Sequence, residues 1–237
     1  MAEWTAKRFW TDVTVEDAGT GWTIRLDGRP VKTPLKAEVV VPTRPLAEAM
    51  ADEWRAQGER IDPLSMPVTR SANAALDKVA PQRAAVEEMI AAYAGSDLLC
   101  YRAATPLALA ERQARHWTPL LDWAAERHGA PLAITEGVMP VAQPAESLAA
   151  LARAMEPMSA FQIAAFHDLV GLSGSYVLGL AVAERHLSGE NAWSLSRLDE
   201  DWQAEQWGRD EEAEEAAAIK RTAFLHAESF YHGATRD

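Results

Sequence analysis

Three consecutive carboxylates, Asp199, Glu200 and Asp201, are the first residues in this chain whose types could do chemistry. Acids of this kind can hold a divalent cation and activate water, which would make a metal-assisted hydrolase. Consecutive residues of a helix, however, point about 100° apart, so the three cannot converge without ligands from elsewhere. The six histidines (His116, His128, His167, His186, His226 and His232) never fall at the i, i+4 spacing of a helical metal site. Gly171-Leu172-Ser173-Gly174-Ser175 imitates a nucleophile elbow, yet its fifth residue is serine and it lies between helical stripes. Those glycines, with Gly179, read as a helix–helix turn and close packing. Cys100 has no base nearby in sequence, and its strand-like LLCY context reads as a small buried hydrophobe. No Gly-Lys dipeptide occurs, which excludes a P-loop, and the Gly19-x-Gly21 start of a dinucleotide motif fails at Ile24. These residues imply no enzyme, no cofactor and no metal.

What stands out instead is Leu198 to Glu215, where nine acidic residues face the single Arg209 and supply −8 of the formal net charge of −12. Trp202 and Trp207 are interleaved with them. A solvated acidic face is one reading, with Asp210 capping a helix whose first turn holds Glu211, Glu212 and Glu214. The other is a docking surface, because an exposed tryptophan commonly anchors an interface. Trp202, in register with Leu195 and Leu198, reads as core. Trp207, beside a helix-ending Gly208, reads as contact.

The rest of the chain positions that surface. With 237 residues, 48% of them hydrophobic and 24% charged, it has material for one large domain or two small ones. A net charge of −12 argues against nucleic acid and anionic membranes as partners. The one cysteine excludes an intrachain disulfide and fits a reducing compartment. No apolar run approaches the roughly 20 residues of a membrane span. The N-terminus resembles neither a secretory signal nor an organelle leader, so a cytoplasmic protein is expected.

Residues 9–41 alternate with period two. Val13 and Val15, then Trp22, Ile24 and Leu26, then Val31, and last Val39 and Val41 make a small antiparallel meander with a hairpin at Asp27-Gly28. A helix capped by Thr43, carrying Leu46, Met50 and Trp54 and stopped at Gly58, covers it. Ile61 to Pro67 reads as a linker. Helical stripes follow: Val86 to Tyr93; Leu109, Gln113 and Trp117, with Pro119 either kinking that helix or starting another; Leu148 to Met155; Phe161 to Leu169; and Tyr176 to Leu187. The last two are a helix capped by Asn191 and one capped by Asp210. The expected fold is α+β, an antiparallel sheet domain with a covering helix over residues 1–64 and an all-helical domain over residues 65–237.

Taken together, RFWTDVTV, GWTIRLDGRPVKTP, LAEAMADEW with Gln57, MPVTR, SDLLCYRA, Gln113 with Trp117-Thr-Pro-Leu, and EDWQAEQWG resemble, in the same order, the motifs of one family. It is the family of assembly chaperones for the soluble catalytic sector of the F-type ATP synthase that serve its alpha subunit. The likeness runs from about Arg8 to Ala213. It implies a molecular chaperone, a monomer when free and not inserted in a membrane, that binds free alpha subunit, prevents its aggregation and aids assembly without hydrolysing ATP. It also implies the same order of domains. The matching partner-binding residues are Glu200, Gln203, Trp207 and Gly208 in the C-terminal motif and Asp97, Tyr101 and Arg102 further upstream. Asp27, Gly28, Arg29 and Thr33 match at the N-terminal turn, where a structural role is at least as apt. Eukaryotic members carry an organelle leader, so the chain is expected to be a bacterial cytoplasmic member or a processed mitochondrial matrix one. Two alternatives stay open: the metal-assisted hydrolase on residues 199–201, and an acidic scaffold for an unrelated basic protein.

Overall fold

The computed structural model describes residues 7–235. They group into two compact units. One takes the residues through Arg83, Ser159–Ala165 and those from Ser229 onward; the other takes Ala84–Met158 and Phe166–Glu228.

In the first unit, β1 (Val13–Asp17), β2 (Trp22–Leu26) and β3 (Arg29–Pro30) form an antiparallel sheet in chain order. Register pairs Val13 with Leu26 and Val15 with Ile24, which puts Val13, Ile24 and Leu26 in the core. The β2–β3 loop is Asp27-Gly28, both in the left-handed region at φ 48° and 77°, as a two-residue hairpin of the right twist demands. Asp27 also accepts the backbone N–H groups of Thr11 (3.0 Å) and Asp12 (2.8 Å). Those bonds hold its pKa below the ordinary carboxylate value. Val39 and Val41 are buried but form no fourth strand; pairing there is limited to single bridges, Lys32 to Glu38 and Trp22 to Val41. Pro34 and the left-handed Lys36 (φ 73°) bend the chain and interrupt the ladder.

α1 (Arg44–Arg55) is capped by Thr43, whose Oγ1 accepts from Leu46 N, and it buries Leu46, Ala47, Met50 and Ala51. Each large side chain buried in this way contributes about 1.5–3 kcal/mol. The expected stop at Gly58 is corrected: α1 closes at Ala56 in right-handed conformation, and Gly58 lacks a positive φ. The buried Gln57 secures the exit instead, donating to Glu53 O and Ser65 Oγ (both 3.0 Å) and accepting Asp62 N (2.7 Å). What read as a linker is a 3₁₀ turn, Pro63–Ser65, followed at once by α2 (Pro67–Ala74). Glu53 serves that helix, accepting Val68 N (2.6 Å) and Thr69 N (2.8 Å), where a negative group meets the helix dipole. A π turn (Ala75–Val79) and a 3₁₀ turn (Ala80–Gln82) lead into α3 (Arg83–Ala92).

The second unit is mostly helical. After β4 (Tyr101–Arg102), α4 (Leu107–His128) runs unbroken to the left-handed Gly129. Pro119 therefore lies inside a single helix. Buried Trp117 on one side and Leu120 and Leu121 on the other offset its roughly 3 kcal/mol helix penalty. β5 (Thr135–Glu136) pairs with β4 in parallel, a short bridge within this otherwise helical unit. α5 (Ala145–Arg153), α6 (Ala160–Ser173) and α7 (Tyr176–Ala183) follow. Gly174 makes the α6–α7 turn at φ 69°. Gly179 permits close approach, since a Cβ there would stand 2.7 Å from Val170 Cγ2. The segment that read as one helix capped by Asn191 is two. α8 (Gly189–Ser196) is capped by Ser188, whose Oγ accepts Asn191 N (3.3 Å), and α9 (Leu198–Trp207) begins after the non-helical Arg197 (φ −105°, ψ 9°). α10 (Glu211–Gly233) starts with Asp210 accepting Ala213 N at 2.8 Å, as its sequence indicates. No helix among the described residues is long and apolar enough to cross a membrane.

Candidate partner-binding face

α9 carries three of the seven expected contact residues, Glu200, Gln203 and Trp207. Asp199, Glu200 and Asp201 fill its first turn, where carboxylates are favourable. Gly208 ends it at φ 94°. Helical spacing places Glu200, Gln203, Ala204 and Trp207 in one stripe. That stripe walls a groove of about 870 Å³ also lined by Trp193 and Ser194 of α8 and by Ala213, Ala217 and Ala218 of α10. Small apolar side chains thus make up part of its lining. The rim holds ion pairs: Arg197 with Glu200 at 2.7 Å, Arg209 with Glu214 at 2.9 Å, and Arg221 with Glu190. Trp207 stands in it 80% exposed. Trp202 turns inward, packs half-buried on the core and takes the Arg112 guanidinium over its ring at 4.9 Å. Trp202 is thus the more buried of the two tryptophans and Trp207 the more exposed.

The structure brings Glu200, Gln203, Trp207 and Gly208 together. Of the upstream residues it buries Asp97 and Arg102 and leaves Tyr101 partly exposed. Asp97 is wholly buried, accepting Leu99 N (2.9 Å), Val177 N (2.9 Å) and the Ser175 hydroxyl (2.8 Å). Burial raises its pKa against the pull of these bonds. It is the internal tie between the Leu98–Cys100 turn and the start of α7. Tyr101 is half-buried against the core. Arg102, 7% exposed, lies over the Trp117 ring at 5.2 Å. Cys100 is buried in a 3₁₀ turn, not a strand, and its thiol is pushed up to about 12, chiefly by burial and then by Asp97.

Sequence reasoning named Arg209 but missed Arg197 and Arg221 of the rim and the lining alanines of α10. The repeat of alanines at 213, 217 and 218 in the acidic helix was the available signal. It also missed Gln113 as a partner of Asp199, bonded at 2.7 Å. The three carboxylates have separate fates: Asp199 meets Gln113, Glu200 meets Arg197, and Asp201 lies exposed on the groove. Among the described residues no three His, Cys, Asp or Glu side chains gather as metal ligands. At this face, then, the arrangement offers an exposed indole, small alanine side chains and paired charges.

The sequence profile of the ATP12 chaperone protein family matches residues 7–125. The crystal structure of Atp12 from Paracoccus denitrificans superposes with a TM-score of 0.93 at 49% identity, over 97% of this chain and 99% of that one. This chain belongs to the ATP12 chaperone family. An aspartate-to-lysine mutant of the Paracoccus Atp12p superposes equally well, with a TM-score of 0.93 at 48% identity over 97% of this chain and 98% of that one. Protein atp12, mitochondrial, of Schizosaccharomyces pombe is 25% identical over 221 residues, 88% of this chain and 76% of that protein. Membership of the ATP12 family bears out the resemblance to ATP synthase assembly chaperones drawn from the motifs. The profile match ends within α4, so α9 is shared with relatives through the whole-chain structural likeness.

Proposed function

We propose that this ATP12-family chaperone binds the free alpha subunit of the F-type ATP synthase catalytic sector. It shields an interface destined for the beta subunit, and it does so with the Glu200–Trp207 stripe of α9. The observation that carries this reading is Trp207, 80% exposed in a groove lined by alanines of α10 and by ion-paired side chains. Subunit interfaces awaiting a partner are apolar at the centre and polar at the edge. An aromatic anchor supplies affinity for such a patch, and the acidic surroundings favour fast encounter with basic groups on the client. The chaperone acts as a monomer when free and performs no covalent chemistry. The mitochondrial and bacterial relatives fit a bacterial cytoplasmic or mitochondrial matrix setting.

Co-expression with alpha and beta subunits tests the reading. Alpha should stay soluble and co-elute with the chain, and beta should not. Glu200→Lys should fold normally and lose most of the co-eluting alpha subunit. Co-elution of alpha at the wild-type level would remove Glu200 from the face, and co-elution of beta alone would overturn the choice of client.

A further inference from the structure

Only Leu198 of α9 is wholly buried. The helix is instead held along its inner side by polar contacts from α4. Gln113, 1% exposed, accepts Ala103 N with Oε1 (2.7 Å) and donates to Asp199 Oδ1 with Nε2 (2.7 Å). Its amide orientation is forced, because an N–H can only donate and a carboxylate can only accept. Arg112 grips Glu205 by donating from both terminal guanidinium nitrogens at 2.9 Å and caps the Trp202 ring. Contacts at 199, 202 and 205 recur every three residues, tracking the side of α9 away from Glu200, Gln203 and Trp207.

We infer that Gln113 and Arg112 are positioning residues for client binding: they set the rotation of α9 about its own axis. Apolar packing alone is non-directional and would tolerate rotation. Hydrogen bonds weaken steeply off their axis. A turn of one residue, about 100°, would bring Glu200 and Gln203 against α4 and break every inner contact. The pins thus decide that the stripe with Trp207 faces outward. This inference rests on the proposed reading that the outer stripe meets the client.

Capture of alpha subunit by the full chain is the assay, with circular dichroism and thermal midpoint as fold controls. Gln113→Glu opposes the Asp199 carboxylate with a like charge and should weaken capture roughly tenfold or more, the size of one lost hydrogen bond to a charged group. Adding Asp199→Asn restores a donor–acceptor pair and should return capture to near the wild-type level. Should Gln113→Glu fail to fold, Arg112→Met carries the test, because it removes the Glu205 grip and the ring contact at a half-exposed position. Folded Gln113→Glu or Arg112→Met variants that capture alpha as the wild type does would overturn the inference. So would a folded Gln113→Glu/Asp199→Asn pair that stays defective. Trp207→Ala run alongside separates the two claims. Its loss of capture with the α4 variants unaffected sinks the positioning role alone, whereas its full retention of capture sinks the reading of the face.

Discussion

Replacing Trp207 by alanine separates binding from folding more cleanly than any other change. A tryptophan buries about 150–250 Å² when covered. With 80% of that surface open, roughly 120–200 Å² remains for a partner. At about 25 cal/mol per Å², covering it is worth roughly 3–5 kcal/mol as an upper bound. Ordering the partner side chains offsets part of this, which leaves about 2–4 kcal/mol, the range of an interface anchor. The dissociation constant for alpha subunit should therefore rise at least about thirtyfold. Stability should barely move, since the indole contributes little to the core, and the thermal midpoint should stay within about 1 °C. The checks are suppression of light scattering by alpha subunit diluted from denaturant, a binding titration, and a melting curve. An unchanged dissociation constant would refute the role of the stripe. A large drop in melting temperature would refute the reasoning that Trp207 is free in the unbound chaperone.

Two further outcomes concern the residues that build the scaffold. Asp97→Ala should orphan the Leu99 and Val177 N–H groups and the Ser175 hydroxyl, costing at least about 3 kcal/mol and lowering the melting midpoint by roughly 6–12 °C; a midpoint within 2 °C of wild type would show that those donors find other partners. Cys100, with its thiol pushed up to about 12, should resist maleimide and iodoacetamide at pH 8 in the native chain and react fully in denaturant; rapid native labelling would contradict its burial.

Much of the fold follows from local rules. The Asp27-Gly28 hairpin, the Thr43 and Asp210 caps and the Gly129 stop each rest on one residue whose conformation or side chain satisfies adjacent backbone. The misses arise where a competitor stood nearby. Ser188 out-competed Asn191 as a cap three residues earlier, and Gln57 made Gly58 dispensable. Periodicity cannot report such contests, because both residues suit the role. The motif pairing was equally hidden. LAEAMADEW and MPVTR look like separate signatures, but Glu53 caps the helix that begins at Pro67. RFWTD and LDGRP are likewise joined through Asp27 to Thr11 and Asp12.

The candidate face shows the same division between what spacing can and cannot say. Glu200, Gln203 and Trp207 share a stripe by helical geometry alone, and their grouping was legible. Asp97 and Arg102 sit in an equally distinctive motif, yet that motif is a buried joint of the second unit, with Asp97 bonded to both the 98–100 turn and α7. A distinctive motif marks strong constraint, and constraint comes from internal satisfaction as readily as from a partner. Exposure decides between the two. Trp207 has surface and no internal role, whereas Asp97 has an internal role and no surface. On the proposed reading this separation has a functional use. Affinity for the client resides on a helix tied to α4 by directional polar bonds, so it can be tuned at the outer stripe while the apolar core beneath stays untouched.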